Sequence, residues 1–270
     1  MHLFLSLTLN GFHKFVSNSR QKTFMKLALL YGGKNRYEKG GIKFDGFYFI
    51  VADYLSFLYQ YKEIFVDEYY KFQSDNDSPV IYDCGSNVGT SCAYFKMIYP
   101  NAIIKAFEAE QGIAELLKTN IKNNRLTNIE VIEKAVWIDN KGVNLSVEGA
   151  DSSSVYLVEN VRKVDSVRLK DLLDSESNVD MLKMDIEGAE NDVILDCGDS
   201  LKVVNNIFIE YHAYTNSKQN LSGILNVLEQ NKFRYFIKND SDRNMPLINR
   251  SNKSYPSMDL QLNIFGYRDY

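Results

Sequence analysis

The chain has 270 residues and a formal net charge of −4, with no basic stripe and no block of like charges. A polyanion is therefore weakly attracted to it, so we expect no nucleic acid among its partners. This length can bury the core of one enzyme-sized domain with an appendage.

The lack of a secretory signal pattern at residues 3–9 and the pattern of the cysteines together predict a cytoplasmic protein. The apolar residues 3–9 lack a basic segment before them and a small-residue cleavage site after them. No run approaches the roughly 20 apolar residues that span a bilayer, and contact of the N-terminal segment with a membrane surface stays open as an alternative. The cysteines show no C-x-x-C spacing and lie in segments predicted to be buried, which indicates reduced core thiols. They are Cys84, Cys92 and Cys197.

Residues 1–78 are predicted to be an N-terminal extension or lid, and residues 79–270 a catalytic domain. The sequence of the extension predicts a helix followed by a hairpin with strands at 42–44 and 47–51, and we expect the extension to lie outside the core. Aromatic residues recur at helical spacing between positions 54 and 72. This favours a face packed on the domain, and the alternative is a lid lined for a sugar or another ringed acceptor. A polar segment that ends at Pro79 marks the boundary.

An apolar strand at 80–82 runs into the turn D-C-G-S-N-V-G at residues 83–89, and a helix is predicted behind it. The two glycines let backbone amides approach a ligand, and no Lys or Arg lies between Asp83 and Ser91. The pattern fits neither a P-loop nor the three-glycine dinucleotide fingerprint. An acid at this place favours a cationic ligand such as S-adenosylmethionine, contacted directly or through water. The alternative is an ordinary strand-to-helix turn.

The next apolar run, residues 102–107, ends in Glu108. An acid that closes the second strand of a doubly wound sheet, roughly 20 residues after the turn, accepts hydrogen bonds from ribose hydroxyls. Pro100 ends the intervening helix, predicted at 90–98. The alternative for Glu108 is a solvated strand end.

Strand and helix signals then alternate to residue 228, which predicts an α/β fold with a doubly wound, mainly parallel sheet. Two further strand-like runs, at 233–237 and 260–267, have no helix between them, so we expect an antiparallel pair at the C-terminal edge. Counting these runs gives a seven-stranded sheet, preceded by an N-terminal α+β extension.

Charged residues concentrate where two later strands end. In the string L-K-M-D-I-E-G-A-E at 182–190, alternation places Lys183, Asp185 and Glu187 on one side of the strand, facing a pocket. The alternative is an N-cap acid with a first-turn Glu that the helix dipole favours. The next strand also carries ionisable residues, Glu210 and His212, at the same predicted edge of the sheet.

These four motifs, at 83–89, 107–108, 183–190 and 210–212, resemble the FkbM family of S-adenosylmethionine-dependent methyltransferases within the class I methyltransferase superfamily. The resemblance implies O-methylation of sugars or polyketide-derived hydroxyls, with a small molecule or a glycan as acceptor. It assigns the adenine to Asp151 and Ser152 only by analogy with the fold. It also implies a set of cofactor contacts at the methionyl end and the ribose: Asp83, Gly85, Ser86, Asn87, Gly89 and Glu108.

Two positions depart from the family pattern. The chain has Ala109 where Pro often follows the ribose acid, and Leu169-Lys170 where a Leu-Asp pair often precedes the fourth strand. Neither position belongs to the predicted cofactor contacts.

The resemblance also places Asp185, Glu187 and His212 on the acceptor side as catalytic residues. A general base adds about 10²- to 10⁴-fold to attack by a hydroxyl. We take His212 as first candidate, because an unperturbed pKa of about 6.5 leaves it mostly neutral at pH 7, and Asp185 as second.

Three alternatives stay open. Asp185, Glu187, Glu210 and His212 are donors that suit Mg²⁺ or Ca²⁺, a metal-assisted reading that we do not favour. A nicotinamide-dependent oxidoreductase shares the sheet and the ribose acid, but it requires a third glycine that this turn lacks. A carbohydrate- or partner-binding module without turnover is the non-enzymatic alternative. The sequence predicts neither the acceptor nor the oligomeric state.

Overall fold

A computed structural model describes residues 19–147, 153–154, 161–239, 245–249 and 257–268. The apolar residues 3–9 and the predicted adenine contacts Asp151 and Ser152 lie outside these ranges. Within them, no helix has the length and apolar character that crossing a bilayer demands.

The N-terminal extension is a helix, a hairpin and a second helix, which confirms the predicted hairpin. The hairpin turns at Asp45 and Gly46, whose φ angles of 42° and 89° are those that an Asp-Gly turn adopts easily. Asp53 caps the second helix by accepting hydrogen bonds from the amides of Leu55 and Ser56. The elements are α1 (Ser19–Tyr31), β1 (Gly40–Phe44), β2 (Phe47–Val51) and α2 (Tyr54–Tyr61), which a π-helical turn (Lys62–Val66) continues.

Parallel strands and helices follow, as the alternating pattern predicts. The helix predicted at 90–98 is confirmed at both ends, with Gly89 as its N-cap and Tyr99 as its C-cap before Pro100. The elements are β3 (Val80–Cys84), α3 (Thr90–Ile98), β4 (Ile103–Phe107), α4 (Gln111–Asn123) and β5 (Ile129–Ile132).

Short strands form two small sheets before the chain re-enters the main sheet. The strands are β6 (Ala135–Trp137), β7 (Val143–Val147), β8 (Ser153–Ser154), β9 (Val161–Val164) and β10 (Ser166–Arg168). In one sheet β6 pairs with β10, and in the other β7 lies between β8 and β9. The chain then continues through α5 (Leu169–Asp174), β11 (Val179–Met184), α6 (Glu190–Cys197), β12 (Val204–Tyr214), α7 (Leu221–Gln230), β13 (Arg234–Asn239) and β14 (Met258–Tyr267).

The main sheet has seven strands in the order β13-β14-β12-β11-β3-β4-β5. The five strands from β12 to β5 are parallel, and β14 runs antiparallel to both β12 and β13. One face packs against α3 and α4 and the other against α5, α6 and α7. The predicted fold class, a doubly wound sheet with an antiparallel C-terminal edge, is confirmed.

The extension contributes to the core, so the expectation that it lies outside the core is wrong. The Phe44 ring lies 4.9 Å from that of Phe57 and 5.4 Å from that of Phe65, measured between ring centroids. Phe65 in turn meets Tyr94 of α3 edge-on at 5.4 Å. Aromatic packing is therefore continuous from the hairpin to the helix behind the glycine turn. The functional division at residue 78 stays a prediction.

Because Phe44 lies inside this cluster, we expect Phe44→Ala to lower the free energy of unfolding by about 3–5 kcal/mol. Tyr59→Ala is the matched control, since the Tyr59 side chain is 68% exposed, and it should change stability by about 0.5 kcal/mol or less. Both are measured by urea unfolding. A separate early transition that alone responds to Phe44→Ala would contradict a shared core.

Candidate active site

The glycine turn is locked against the ends of two neighbouring strands. A Cβ on Gly85, whose φ is +80°, would lie 1.8 Å from the carbonyl oxygen of Asp185, so only glycine fits there. The amides of Gly85 and Ser86 both donate to the carbonyl of Phe107 at the end of β4, at 3.0 and 2.9 Å. The turn therefore joins β3, β4 and the segment after β11 at one edge of the sheet.

Asp83 lies beneath this turn rather than in the cleft. Its carboxylate accepts hydrogen bonds from Ser91 Oγ at 2.5 Å and Cys92 Sγ at 3.3 Å, and its side chain has no exposed surface. The Lys183 ammonium lies 3.6 Å from its Oδ1. Lys183 already supplies an opposite charge, while Asp83 Oδ1 has no hydrogen-bond partner among the described residues, so the role of Asp83 toward a cationic ligand stays a prediction.

Lys183 is the central cation of the site. Its Nζ donates to the carbonyls of Cys84 and Gly85, at 3.2 and 2.6 Å, and lies 3.4 Å from Asp185 Oδ2. Burial acts most strongly and opposes the charge, but Asp185 and Asp83 outweigh it, so the pKa of Lys183 lies above its ordinary value. The ammonium therefore fixes two strand ends in one arrangement.

Glu108 reaches the glycine turn, as its predicted role requires. Its carboxylate accepts hydrogen bonds from the amides of Asn87 and Glu110, both at 2.9 Å. Desolvation of the carboxyl raises the pKa of Glu108 to about 7, although those two amides oppose the shift. The residue predicted for the ribose therefore lies beside the turn predicted for the methionyl end.

With Glu108 at the ribose, as predicted, its raised pKa should make nucleoside binding depend on pH. A carboxylate accepts hydrogen bonds from two hydroxyls better than a carboxylic acid does, so bound nucleoside favours the ionised form. We expect the Kd for S-adenosylhomocysteine to fall about tenfold between pH 6 and pH 8, as the ionised fraction rises through a pKa of about 7. Calorimetry at both pH values checks this.

Glu108→Gln should bind more weakly and lose the pH dependence, whereas Glu115→Gln, on the exposed face of α4, should behave as the unaltered protein. An unchanged pH dependence in Glu108→Gln would count against its role at the ribose.

Carboxylates surround His212 where β11 and β12 end. Glu190 Oε1 lies 3.1 Å from Nδ1, while Nε2 faces Glu210 at 3.7 Å and Glu187 at 3.8 Å. The fourth carboxylate of this group belongs to Asp185, whose Oδ2 lies 3.4 Å from Lys183 Nζ. The structure thus brings together all three predicted catalytic residues, Asp185, Glu187 and His212, with Glu190 and Glu210.

The backbone at this point is held in an unusual shape. Glu187 has a φ of +55°, in the left-handed region that non-glycine residues rarely adopt. The Glu190 carboxylate accepts hydrogen bonds from the amides of Ile186 and Gly188 on either side of it. Glu190 therefore fixes both the turn that presents Glu187 and the ring of His212.

The expectation of a neutral His212 at pH 7 is wrong. Burial opposes its charge most strongly, but Glu190 and Glu187 outweigh burial and hold the pKa of His212 well above its ordinary value. Burial raises the pKa values of Glu187 and Glu210, while His212 opposes the rise and Asp185 adds to it. The carboxylates, rather than the imidazole, are therefore the groups that exchange protons near neutral pH.

Three donors, from Asp185, Glu190 and His212, lie within 4.8 Å of one another and suit a metal ion. The Glu190 oxygens already accept hydrogen bonds from two backbone amides, and a cation would compete with them. We assign no metal ligand, and the metal-assisted reading keeps its place as an alternative.

Sequence reasoning missed the role of Glu190, because a first-turn Glu ordinarily faces solvent at a helix start, and here it has no exposed surface. It also missed Tyr214, whose hydroxyl donates to Glu187 at 3.1 Å. The spacing of four residues between Ile186 and Glu190 is the one signal in the sequence that indicates a turn closed by a side chain. Ser86 supports the turn itself, donating from Oγ to the carbonyl of Asp83 at 2.7 Å.

A doubly wound sheet with these acids at its carboxyl edge defines the class of α/β proteins that bind a nucleoside-bearing cofactor. The family is more specific: the Methyltransferase FkbM domain matches residues 83–235, over half of the chain, and the chain belongs to this family. The predictions of a methyltransferase and of S-adenosylmethionine as its cofactor are confirmed. This family assignment is adopted in place of the two alternatives, a nicotinamide-dependent oxidoreductase and a binding module without turnover.

Two curated relatives are methyltransferases. Methyltransferase 1 of Beauveria bassiana (strain ARSEF 2860) is 25% identical over 177 residues, which cover 56% of this chain and 71% of the relative. Methyltransferase sdnD of Sordaria araneosa is 26% identical over 189 residues, which cover 56% and 73%. Among solved structures, the FkbM methyltransferase of Methylobacillus flagellatus KT is 13% identical with a TM-score of 0.47, covering 90% of this chain and 58% of that one.

Proposed function

We propose that the protein transfers a methyl group from S-adenosylmethionine to a hydroxyl of a sugar, a glycan or another small metabolite. When bound, the cofactor supplies an electrophilic methyl group. The observation that carries the proposal is the carboxylate cluster around His212, which adjoins the glycine turn through Lys183 and Asp185. The predicted cytoplasmic location is part of this proposal, and the buried, unpaired state of all three cysteines supports it.

The residues at the turn fit the cofactor. Gly85 lets the turn pack against the carbonyl of Asp185, where a Cβ does not fit, and this packing sets the position of the turn. The first turn of α3 has no side-chain cap on its amides, and Glu108 supplies a carboxylate beside the turn. These groups would hold the methionyl end and the ribose respectively, while Asp83 acts from below by fixing Ser91 and Lys183.

Glu187 is the base in this proposal. Its side chain is 25% exposed, compared with 3% for His212, so it can meet a hydroxyl from the cleft. Its raised pKa brings it close to the operating pH, where a general base is most effective. Glu187 Oε would accept the proton of the acceptor hydroxyl, whose oxygen would gain the methyl group as the carbon–sulfur bond of the cofactor breaks and S-adenosylhomocysteine is released. Asp185, which is 27% exposed, would orient the acceptor.

His212 acts through Glu187. Its charged ring, held by Glu190 at Nδ1, lowers the pKa that Glu187 would otherwise have in this acidic environment. In this proposal His212 does not accept the proton, although the sequence makes it the first candidate. It sets the pKa of Glu187, which accepts the proton instead.

The acceptor class is tested by incubating the protein with isotopically labelled S-adenosylmethionine and a panel of nucleotide sugars, glycans, hydroxylated metabolites and RNA. We expect a gain of one methyl group on a hydroxyl of an uncharged ring or chain, detected by mass spectrometry, in reactions with and without EDTA. Methylation of RNA alone, or of a nitrogen or carbon atom, would contradict the proposal. Activity lost with EDTA and restored by Mg²⁺ would favour the metal-assisted alternative.

The base is tested by Glu187→Gln, which should lower turnover by about 10²- to 10⁴-fold and leave the Kd for S-adenosylhomocysteine within about twofold. Asp199→Asn, an exposed acid elsewhere on the surface, is the matched control and should change neither. Stopped assays and calorimetry measure the two quantities.

His212→Gln separates the two bases. If Glu187 is the base, removing the nearby cation raises its pKa, so the rise of turnover with pH should move to higher pH while maximal turnover is largely retained. If His212 is the base, turnover should instead fall at every pH. The pH–rate profile therefore decides between them.

A further inference from the structure

A small cleft lies between the N-terminal extension and the glycine turn, outside the motifs that the sequence singled out. Its walls are the end of β2, the first two turns of α2, and the turn residues Asn87 and Val88. Its position continues the cofactor site away from Glu108, toward the start of α3.

Ser56 lines this cleft and has an unusual hydroxyl. The residue is 7% exposed, and its Oγ has no hydrogen-bond partner among the described residues. Buried hydroxyls are almost always hydrogen-bonded, so a buried Oγ without a protein partner in a cleft wall is open to a ligand atom or to a water molecule.

Gln60 lines the cleft one turn later along α2. Its Oε1 accepts a hydrogen bond from Thr90 Oγ at 2.9 Å, which fixes the amide group beside the first residue of α3. Once Oε1 is used as the acceptor, the Nε2 hydrogens are the donors that Gln60 has left to offer. Gly89, the N-cap of α3, provides no side-chain cap, so the positive end of the helix faces the same region.

The donor hydrogens that Ser56 and Gln60 can offer to this cleft favour an anionic ligand. The one carboxylate in the wall, Asp53, is already engaged by the amides of Tyr37, Leu55 and Ser56 and by Arg36 at 3.2 Å. Its charge is therefore compensated within the protein, and its side chain has no exposed surface.

We propose that Gln60 and Ser56 of α2 bind the carboxylate at the amino-acid end of S-adenosylmethionine, so that the N-terminal extension forms one wall of the cofactor site. This inference rests on the proposed function, because it places the ligand's nucleoside at Glu108. It gives the extension a role in binding that the motifs of residues 83–212 do not contain.

The test compares two ligands that differ only beyond the sulfur. S-adenosylhomocysteine carries the amino-acid end, whereas 5′-methylthioadenosine lacks it and keeps the nucleoside. We expect Gln60→Met to weaken S-adenosylhomocysteine about tenfold, since a hydrogen bond to a charged group is lost, and to leave 5′-methylthioadenosine within about twofold. Calorimetry measures both, and Tyr59→Phe, on the exposed face of the same helix, is the control.

Ser56→Ala removes the possibility that a folding defect explains the result. Its Oγ makes no hydrogen bond in the free protein, so we expect its thermal midpoint to be unchanged while S-adenosylhomocysteine alone binds more weakly. Unchanged affinity in both variants, or equal loss of both ligands, would overturn the assignment of the carboxylate to this cleft. Failure of the unaltered protein to bind either ligand would instead overturn the proposed function.

Discussion

The buried Lys183 ammonium is the interaction on which the site depends. It is 3% exposed and is held by two carboxylates and by two carbonyls of the glycine turn. A buried charge is costly unless it is paired and hydrogen-bonded, and this one has both kinds of partner. Because Asp83 and Cys84 lie on β3 and Lys183 on β11, the same cation joins the part of the site that we propose for the cofactor to the part that we propose for the acceptor.

The acidic cluster follows from that arrangement. Strand ends that converge at one sheet edge bring Asp185, Glu187, Glu190 and Glu210 together with two cations, Lys183 and His212. Ionising all four acids there leaves an excess of negative charge in a partly desolvated place, so some carboxyls hold protons at pH values where an isolated carboxyl would not. The raised pKa values of Glu187 and Glu210 therefore arise from burial first and from the crowding of acids second, and no single residue type specifies them.

Local signals were enough to predict much of the fold. The helix Thr90–Ile98 lies between a glycine and a proline, and the hairpin turns at Asp-Gly, so neighbouring residues decide each of them. The approach of Glu108 to the turn was also predicted, because strand order in doubly wound sheets is regular. Contacts set by side chains distant in sequence were not predictable: Lys183 lies 100 residues from Asp83, and the charge of His212 depends on acids from another element.

The N-terminal extension packs into the same core as the rest of the chain, although the sequence predicts a separate functional part there. Phe65 meets Tyr94 on α3, and Gln60 accepts a hydrogen bond from the hydroxyl of Thr90, so one segment contacts α3 both at its side and at its first residue. A change that loosens the extension therefore alters the position of the helix start against which the cofactor is expected to lie. Stability and cofactor affinity are coupled through α3, and separating them requires variants such as Ser56→Ala, which removes a group that makes no hydrogen bond in the free protein.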